Sequence, residues 1–170
     1  RTVELQPWEH IGGRGAILNH DRSVDSNDCW VVEIDPGERL REEKHLFETL
    51  VYVLAGEGAT EIRYGTGKSQ VVEWREGSLF AVPLNFPHQH RNTDSSAAAR
   101  LLFVTNAPIV MNTFQSLDFV FNCDYVFQDR YQGEEDFFTS EGKVDGRVRH
   151  INLVPDARAF GLLDYPERGG

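Results

Sequence analysis

The sequence is short of cysteine, of basic charge and of long apolar runs, and each shortage excludes something. Its two cysteines, Cys29 and Cys123, stand far apart with no Cys-x-x-Cys spacing. That rules out a zinc ribbon and a thioredoxin-like redox pair, and both are expected as buried, reduced thiols. No apolar stretch approaches the roughly 18 residues that a membrane helix requires, and no basic segment leads into an apolar core as in a signal peptide. A cytoplasmic protein is expected, and the lack of any Asn-x-Ser/Thr acceptor agrees with this. Lys and Arg number 17 against 27 Asp and Glu, a formal charge of −10. Such a field repels phosphate backbones and anionic headgroups, so neither nucleic acid nor membrane is expected as a partner. The chain also lacks a Gly-x-Ser-x-Gly elbow and a Gly-x-x-x-x-Gly-Lys-Ser/Thr loop. "GEGATE" leads into no helix, so its glycines read as a hairpin turn and not as a phosphate cradle.

What is present fits one domain. The 170 residues are 40% apolar and 26% charged, enough to bury roughly 70% of the unfolded surface in a single core. Short runs of branched and aromatic residues alternate with Gly, Pro and Asn turn signals. They predict strands over Cys29 to Ile34, Thr49 to Leu54, Ala59 to Tyr64, Gln70 to Trp74, Ser78 to Val82, His88 to Asn92, Arg100 to Thr105 and Leu117 to Asn122. The one helix-like fragment, "SSAAAR", is too short to hold alone. The expected fold is all-β with Greek-key or jelly-roll connections.

In the strand from Ala59, Thr60, Ile62 and Tyr64 share one face and Glu61 and Arg63 the other, as in a strand with one wet side. In Thr49 to Leu54 both faces are apolar, so the outer one requires a cover, either a partner subunit or the chain's own terminal segments. Residues 1–120 are expected to form the barrel. Residues 121–170 change composition and read as an arm or linker, with Glu134 to Asp136 solvated and Phe137 and Phe138 docked. The polar ending "DYPERGG" resembles the start of a linker, and the chain is expected to be part of a longer one. Trp8, Trp30 and Trp74 read as core or interface packing, and Arg63 and Arg100 as solvated charges.

Three of the six histidines fall in two segments. "PGERLREEKHLFETLVYVLAGEG" carries Glu43, His45 and Glu48, and "EGSLFAVPLNFPHQHRN" carries His88 and His90. Period two on a strand puts His88 and His90 on one face. Two inward imidazoles require neutrality or a shared cation, and imidazoles beside a carboxylate suit Fe, Mn, Ni, Cu or Zn. The alternative is a hydrogen-bonded pair at a strand end with a surface cluster in "REEKH".

These residues resemble the motifs of the cupin family. The first motif runs Gly, five residues, His, one, His, three or four, Glu, six, Gly, and Gly37, Glu43, His45, Thr49 and Gly56 occupy that spacing. The second runs Gly, five, Pro, one, Gly, two, His, three, Asn, and Gly77, Pro83, Asn85, His88 and Asn92 occupy it. "VTNAPIVMNTF" and "DRYQGEEDFF" further resemble the first half of two-barrel cupins. The resemblance implies a double-stranded β-helix barrel holding one divalent transition metal ion (Fe, Mn, Ni or Zn) inside. Carried across, its ligand positions are Glu43, His45, Thr49 and His88, so one usual His is a carboxylate and the usual Glu is a hydroxyl. Two imidazoles and one carboxylate remain, the make-up of a facial triad.

Glu48 is expected to point outward unless a bulge turns it in, and it ranks below Glu43 as a ligand. His90 is expected as an acid, base or further nitrogen ligand, and Thr49 and Asn92 as contacts to substrate. The function expected is a metal-dependent small-molecule enzyme of dioxygenase type. The alternatives are a metal-dependent isomerase, lyase or hydrolase, and a non-catalytic ligand-binding or dimerisation barrel. A homodimer, or pairing with a second barrel, is the expected assembly.

Overall fold

Alternating buried and exposed positions build the two antiparallel sheets of the barrel, and a separate exposed hairpin, residues 143–150, lies outside them. The computed structural model describes residues 3–20 and 24–159. The strands are β1 (Gln6–Trp8), β2 (Gly13–His20), β3 (Val24–Ile34), β4 (Thr49–Ala55), β5 (Glu57–Tyr64), β6 (Lys68–Arg75), β7 (Leu79–Val82), β8 (His88–Asn92) and β9 (Ala99–Thr105). Two short helices follow, α1 (Ala107–Phe114) and α2 (Leu117–Asn122), then β10 (Lys143–Asp145), β11 (Val148–His150) and β12 (Leu153–Val154). The larger sheet has the order β1-β2-β3-β9-β4-β7-β12, and β6-β5-β8 faces it as a smaller one. The chain is a jelly-roll barrel. Val32, Val51, Val53, Ile62 and Leu101 are fully buried between the sheets, each worth about 1.5–3 kcal/mol of burial. Among the described residues, no helix is long and apolar enough to cross a membrane.

Leu117 to Asn122, read above as a strand, is helix α2. Ser116 caps it, its hydroxyl accepting from the Phe119 amide at 3.3 Å, and only Val120 is buried while Leu117 and Phe119 are exposed. A strand's alternation cannot produce that pattern, whereas a capped single-faced helix does. "SSAAAR" is no helix: Asp94 accepts from the amides of Ser96 and Ala97, folding a turn that leads into β9. The cysteines are half-buried rather than buried.

After α2 the chain runs back over the barrel. Tyr131 is fully buried against Phe86 and Tyr64, and its hydroxyl donates to Gln70 Oε1 at 2.7 Å. Phe137 packs on Tyr131 and Phe138 on Phe137, while Glu134 to Asp136 are exposed. Gly133 is required there, since a Cβ would lie 2.1 Å from the Tyr64 ring. Asn85, which stands where the second motif has Gly, keeps that position's left-handed backbone at φ 60°. Its side-chain amide donates to the carbonyls of Cys123 at 3.0 Å and Tyr125 at 2.8 Å, tying the returning chain down. Residues 160–170, the last part of the expected arm, lie outside the described residues.

The outer face of β4 remains uncovered: Leu50 and Leu54 are exposed and Tyr52 is half-buried. Among the described residues, none covers this strand's second apolar face.

Candidate metal centre

Two strands and one extended segment build the site. β8 pairs with β5 in a register that sets His90 opposite Thr60 and His88 opposite Ile62. Both imidazoles are buried on the inner face. On the other edge of β8, residues 38–43 run alongside as an irregular strand. Glu43 N donates to His88 O at 3.0 Å and His88 N to Glu43 O at 2.9 Å. That bridge brings the Glu43 carboxylate beside the His88 ring. His45 follows just after it, its ring stacked on Phe47 at 3.7 Å between centroids and held edge-on to His88 at 5.2 Å.

Trp30, Phe103, Thr49 and Thr105 complete the walls of a small pocket that Glu43, His45, His88 and His90 line. One ligand atom from each of Glu43, His88 and His90 lies within 4.8 Å of the others. His45 lines the same pocket but stands outside that group. Behind the walls, Asp28 accepts from Trp30 Nε1 at 2.8 Å and from the Thr105 hydroxyl, which fixes both wall residues.

Hydrogen bonds orient the rings. His45 Nδ1 donates to Phe47 O and His88 Nδ1 to Phe86 O, each at 2.9 Å. A carbonyl can only accept, so both rings keep the Nε2 lone pair for the pocket. His88 Nε2 then faces Glu43 Oε1 at 3.7 Å. Two acceptors at that separation call for a positive charge between them, and an ion bonded to each at roughly 2.1 Å would reach both.

Electrostatics point the same way. Burial by itself raises Glu43, yet the adjoining His88, with further charge from His45 and His90, outweighs it and holds the carboxyl at about 2. Burial and the charge of His88 push His45 down to about 4 despite the opposing pull of Glu43. The same two causes take His90 to about 3. At neutral pH the pocket presents the Glu43 carboxylate and the neutral rings of His45 and His90, the protonation state that metal binding needs. The Thr49 hydroxyl, buried on the pocket wall, has no hydrogen-bond partner. This donor set fits a divalent transition metal.

Two expected residues are elsewhere. Glu48 is exposed and accepts from Arg130 at 2.7 Å, because strict alternation into β4 turns it outward and no bulge intervenes. Asn92 is buried but spent: its amide donates to the carbonyls of Ile34, Asp35 and Ala97, and its Oδ1 accepts from Asp94 N. It clasps the loop after β8 and is not among the pocket-lining residues. Arg63 pairs with Glu42, and Arg100 with Glu33.

Sequence reading missed Thr60 and read Trp30 and Trp74 chiefly as packing, with a pocket wall as the lesser alternative. Trp30 is a wall of the pocket, and Trp74 Nε1 donates to Thr60 Oγ1 at 3.0 Å. Gly58 permits that bond, since a Cβ there would lie 2.3 Å from the Trp74 ring. The available signal was the small hydroxyl of Thr60 beside Ile62 on the inward face of β5.

Comparison with known proteins agrees with the fold. Residues 30–105 match the family profile described as "Cupin domain". Auxin-binding protein 4 of Zea mays is 27% identical over 115 residues, 65% of this chain and 54% of the relative. Auxin-binding protein 5 of the same plant is 29% identical over 87 residues, 48% of this chain and 55% of the relative. The chain thus spans about half the length of the curated relatives it matches. Among solved structures, the Lactobacillus farciminis oxalate decarboxylase formate complex superposes with a TM-score of 0.53 at 15% identity, over 66% of this chain and 38% of that one. The 7S globulin of Momordica charantia gives 0.51 at 15%, over 60% and 31%.

Proposed function

The chain carries a cupin domain, and from that premise we propose a metal-dependent enzyme of dioxygenase type acting on a small molecule. The observation that carries the proposal is the His88–Glu43 pair, two acceptors facing across 3.7 Å with the His88 tautomer fixed from behind by Phe86 O. Glu43 and His88 would hold one divalent ion, with His45 or His90 as the second imidazole. A redox-active ion such as Fe or Mn supplies O₂ chemistry when bound, and Ni or Zn supplies Lewis acidity.

The protein's own groups do the rest. The Trp30 and Phe103 rings wall the pocket, and their low polarity strengthens the polar contacts inside it. Thr49 presents an unpartnered hydroxyl for a substrate oxygen, and His90 lies close enough to hold or move a proton at one. The compartment proposed is the cytoplasm. The uncovered outer face of β4 is the proposed pairing surface, for a second copy or a second barrel.

The test is elemental analysis of protein expressed with supplemented Fe, Mn, Ni and Zn. Close to one equivalent is expected, and less than about a tenth of an equivalent overturns the proposal. Turnover that survives strict anaerobiosis would replace the dioxygenase reading with a lyase, isomerase or hydrolase. A second reading, a ligand-binding barrel without turnover, is favoured by the relatives described as auxin-binding. Metal-loaded protein that binds a small carboxylate but converts none of a substrate panel would establish it.

A further inference from the structure

The pocket's histidines are of two chemical kinds, and what each Nδ1 touches decides which. His45 and His88 are bound at Nδ1 by carbonyls, so their Nε2 atoms are acceptors. His90 differs. Its Nδ1 meets the Thr60 hydroxyl at 2.7 Å, and a hydroxyl either gives or takes a proton. The choice is made one residue further back. Trp74 Nε1–H, which can only donate, occupies Thr60 Oγ1 at 3.0 Å. Thr60 is fully buried, and the described residues offer its single proton no acceptor other than His90 Nδ1.

If His90 Nδ1 carried the proton, two donors would converge on Thr60 and the hydroxyl hydrogen would be stranded in the core. If Thr60 donates to Nδ1, all three groups are satisfied and the ring's proton sits on Nε2. We infer that His90 is the pocket's hydrogen-bond donor, set as the Nε2–H tautomer by the Trp74–Thr60 relay, and that it holds an anionic ligand oxygen instead of a metal ion. A ring N–H beside Glu43 and His88 is repelled by a cation bound there and attracted by an anionic oxygen drawn to that cation. The orphaned Thr49 hydroxyl offers a second donor on the same wall. The ligand-holding part of the inference rests on the metal reading above, while the tautomer does not.

Long-range ¹H–¹⁵N correlation NMR of histidine-labelled, metal-free protein tests the tautomer. His45 and His88 are expected in the Nδ1–H form and His90 in the Nε2–H form; a His90 in the Nδ1–H form overturns the inference. Thr60→Val is expected to release His90 from this form and Thr60→Ser to restore it. On adding Zn²⁺, the His88 Nε2 resonance is expected to move while His90 keeps its pattern, and direct ligation of His90 would overturn the claim. His90→Gln is expected to retain zinc within about twofold while formate binding to the zinc-loaded protein weakens about tenfold, the scale of one lost hydrogen bond. Zinc loss as severe as in His88→Ala would again overturn it. If the wild type takes up no zinc, the metal reading fails by itself and the metal-free tautomer pattern still decides this inference.

Discussion

Glu33 and Glu43 are both carboxylates withdrawn from water, and the barrel treats them in opposite ways. Glu33, on β3, accepts from Arg14 Nη2 and Arg100 Nε, each at 2.6 Å and each on a different oxygen. Both oxygens of the anion are answered by residues of the flanking strands, β2 and β9, and the clamp pins three neighbouring strands together. Glu43 has no hydrogen bond to its side chain among the described residues, and His88 Nε2 faces it from 3.7 Å. The first carboxylate is closed and structural. The second is left open, and an open buried carboxylate among imidazoles is the form a protein gives to a site that will take a cation.

That contrast can be broken at either end. The largest effect is expected from His88→Ala, which should abolish metal uptake, cutting bound metal by at least about 100-fold by elemental analysis. Glu43→Gln should weaken the metal by about 10- to 100-fold. Glu48→Gln should change it little, since that carboxylate is paired to Arg130 on the surface. The reverse order would mean that the entrance to β4 is bulged.

The open site also predicts how the metal-free fold responds to acid. His45 and His90 have folded values near 4 and 3, below the roughly 6.5 of the unfolded chain. The unfolded state therefore binds more protons, and stability falls as pH drops below about 6.5, at roughly 1–3 kcal/mol per pH unit for the two together. Glu43, near 2, adds a further loss only as pH falls below about 4.3. Chemical denaturation from pH 7 to pH 4 checks this, and stability that is flat over that range would show that the rings are not neutral in the fold.

At the closed end, Glu33→Gln should lower the thermal midpoint by about 3–6 °C with metal content unchanged, corresponding to about 1–2 kcal/mol since both arginines are half exposed. The smallest effect is expected from Asn85→Gly. Glycine relieves the positive φ but loses the two bonds to Cys123 and Tyr125, a net loss of about 1 kcal/mol. Limited proteolysis should then cut the segment after α2 sooner than in the wild type.

Much of the barrel was legible because strand alternation is local. The inward placing of His88 and His90, the one-sided wetness of β5 and the outward turn of Glu48 all follow from period two. The helix α2 was missed because its signal, Ser116 before an apolar run, competes with the same residues' strand preference, and burial of Val120 alone decides between them. Asn92 was misread for a different reason. Its place in a motif says that it matters, not what it touches, and three carbonyls from two separate loops consume its amide.

By itself the sequence determined the inventory: an acidic, helix-poor barrel, with imidazoles and a carboxylate able to share its interior. Tertiary structure alone decided what each of them is chemically. A histidine's free nitrogen is set by whatever meets the other one, and those partners come from Phe47 and Phe86 close by but from Thr60 and Trp74 across two strand pairings. Register between strands depends on the packing of the whole sheet, so no local pattern around His90 could have announced that its ring differs from the one two residues before it.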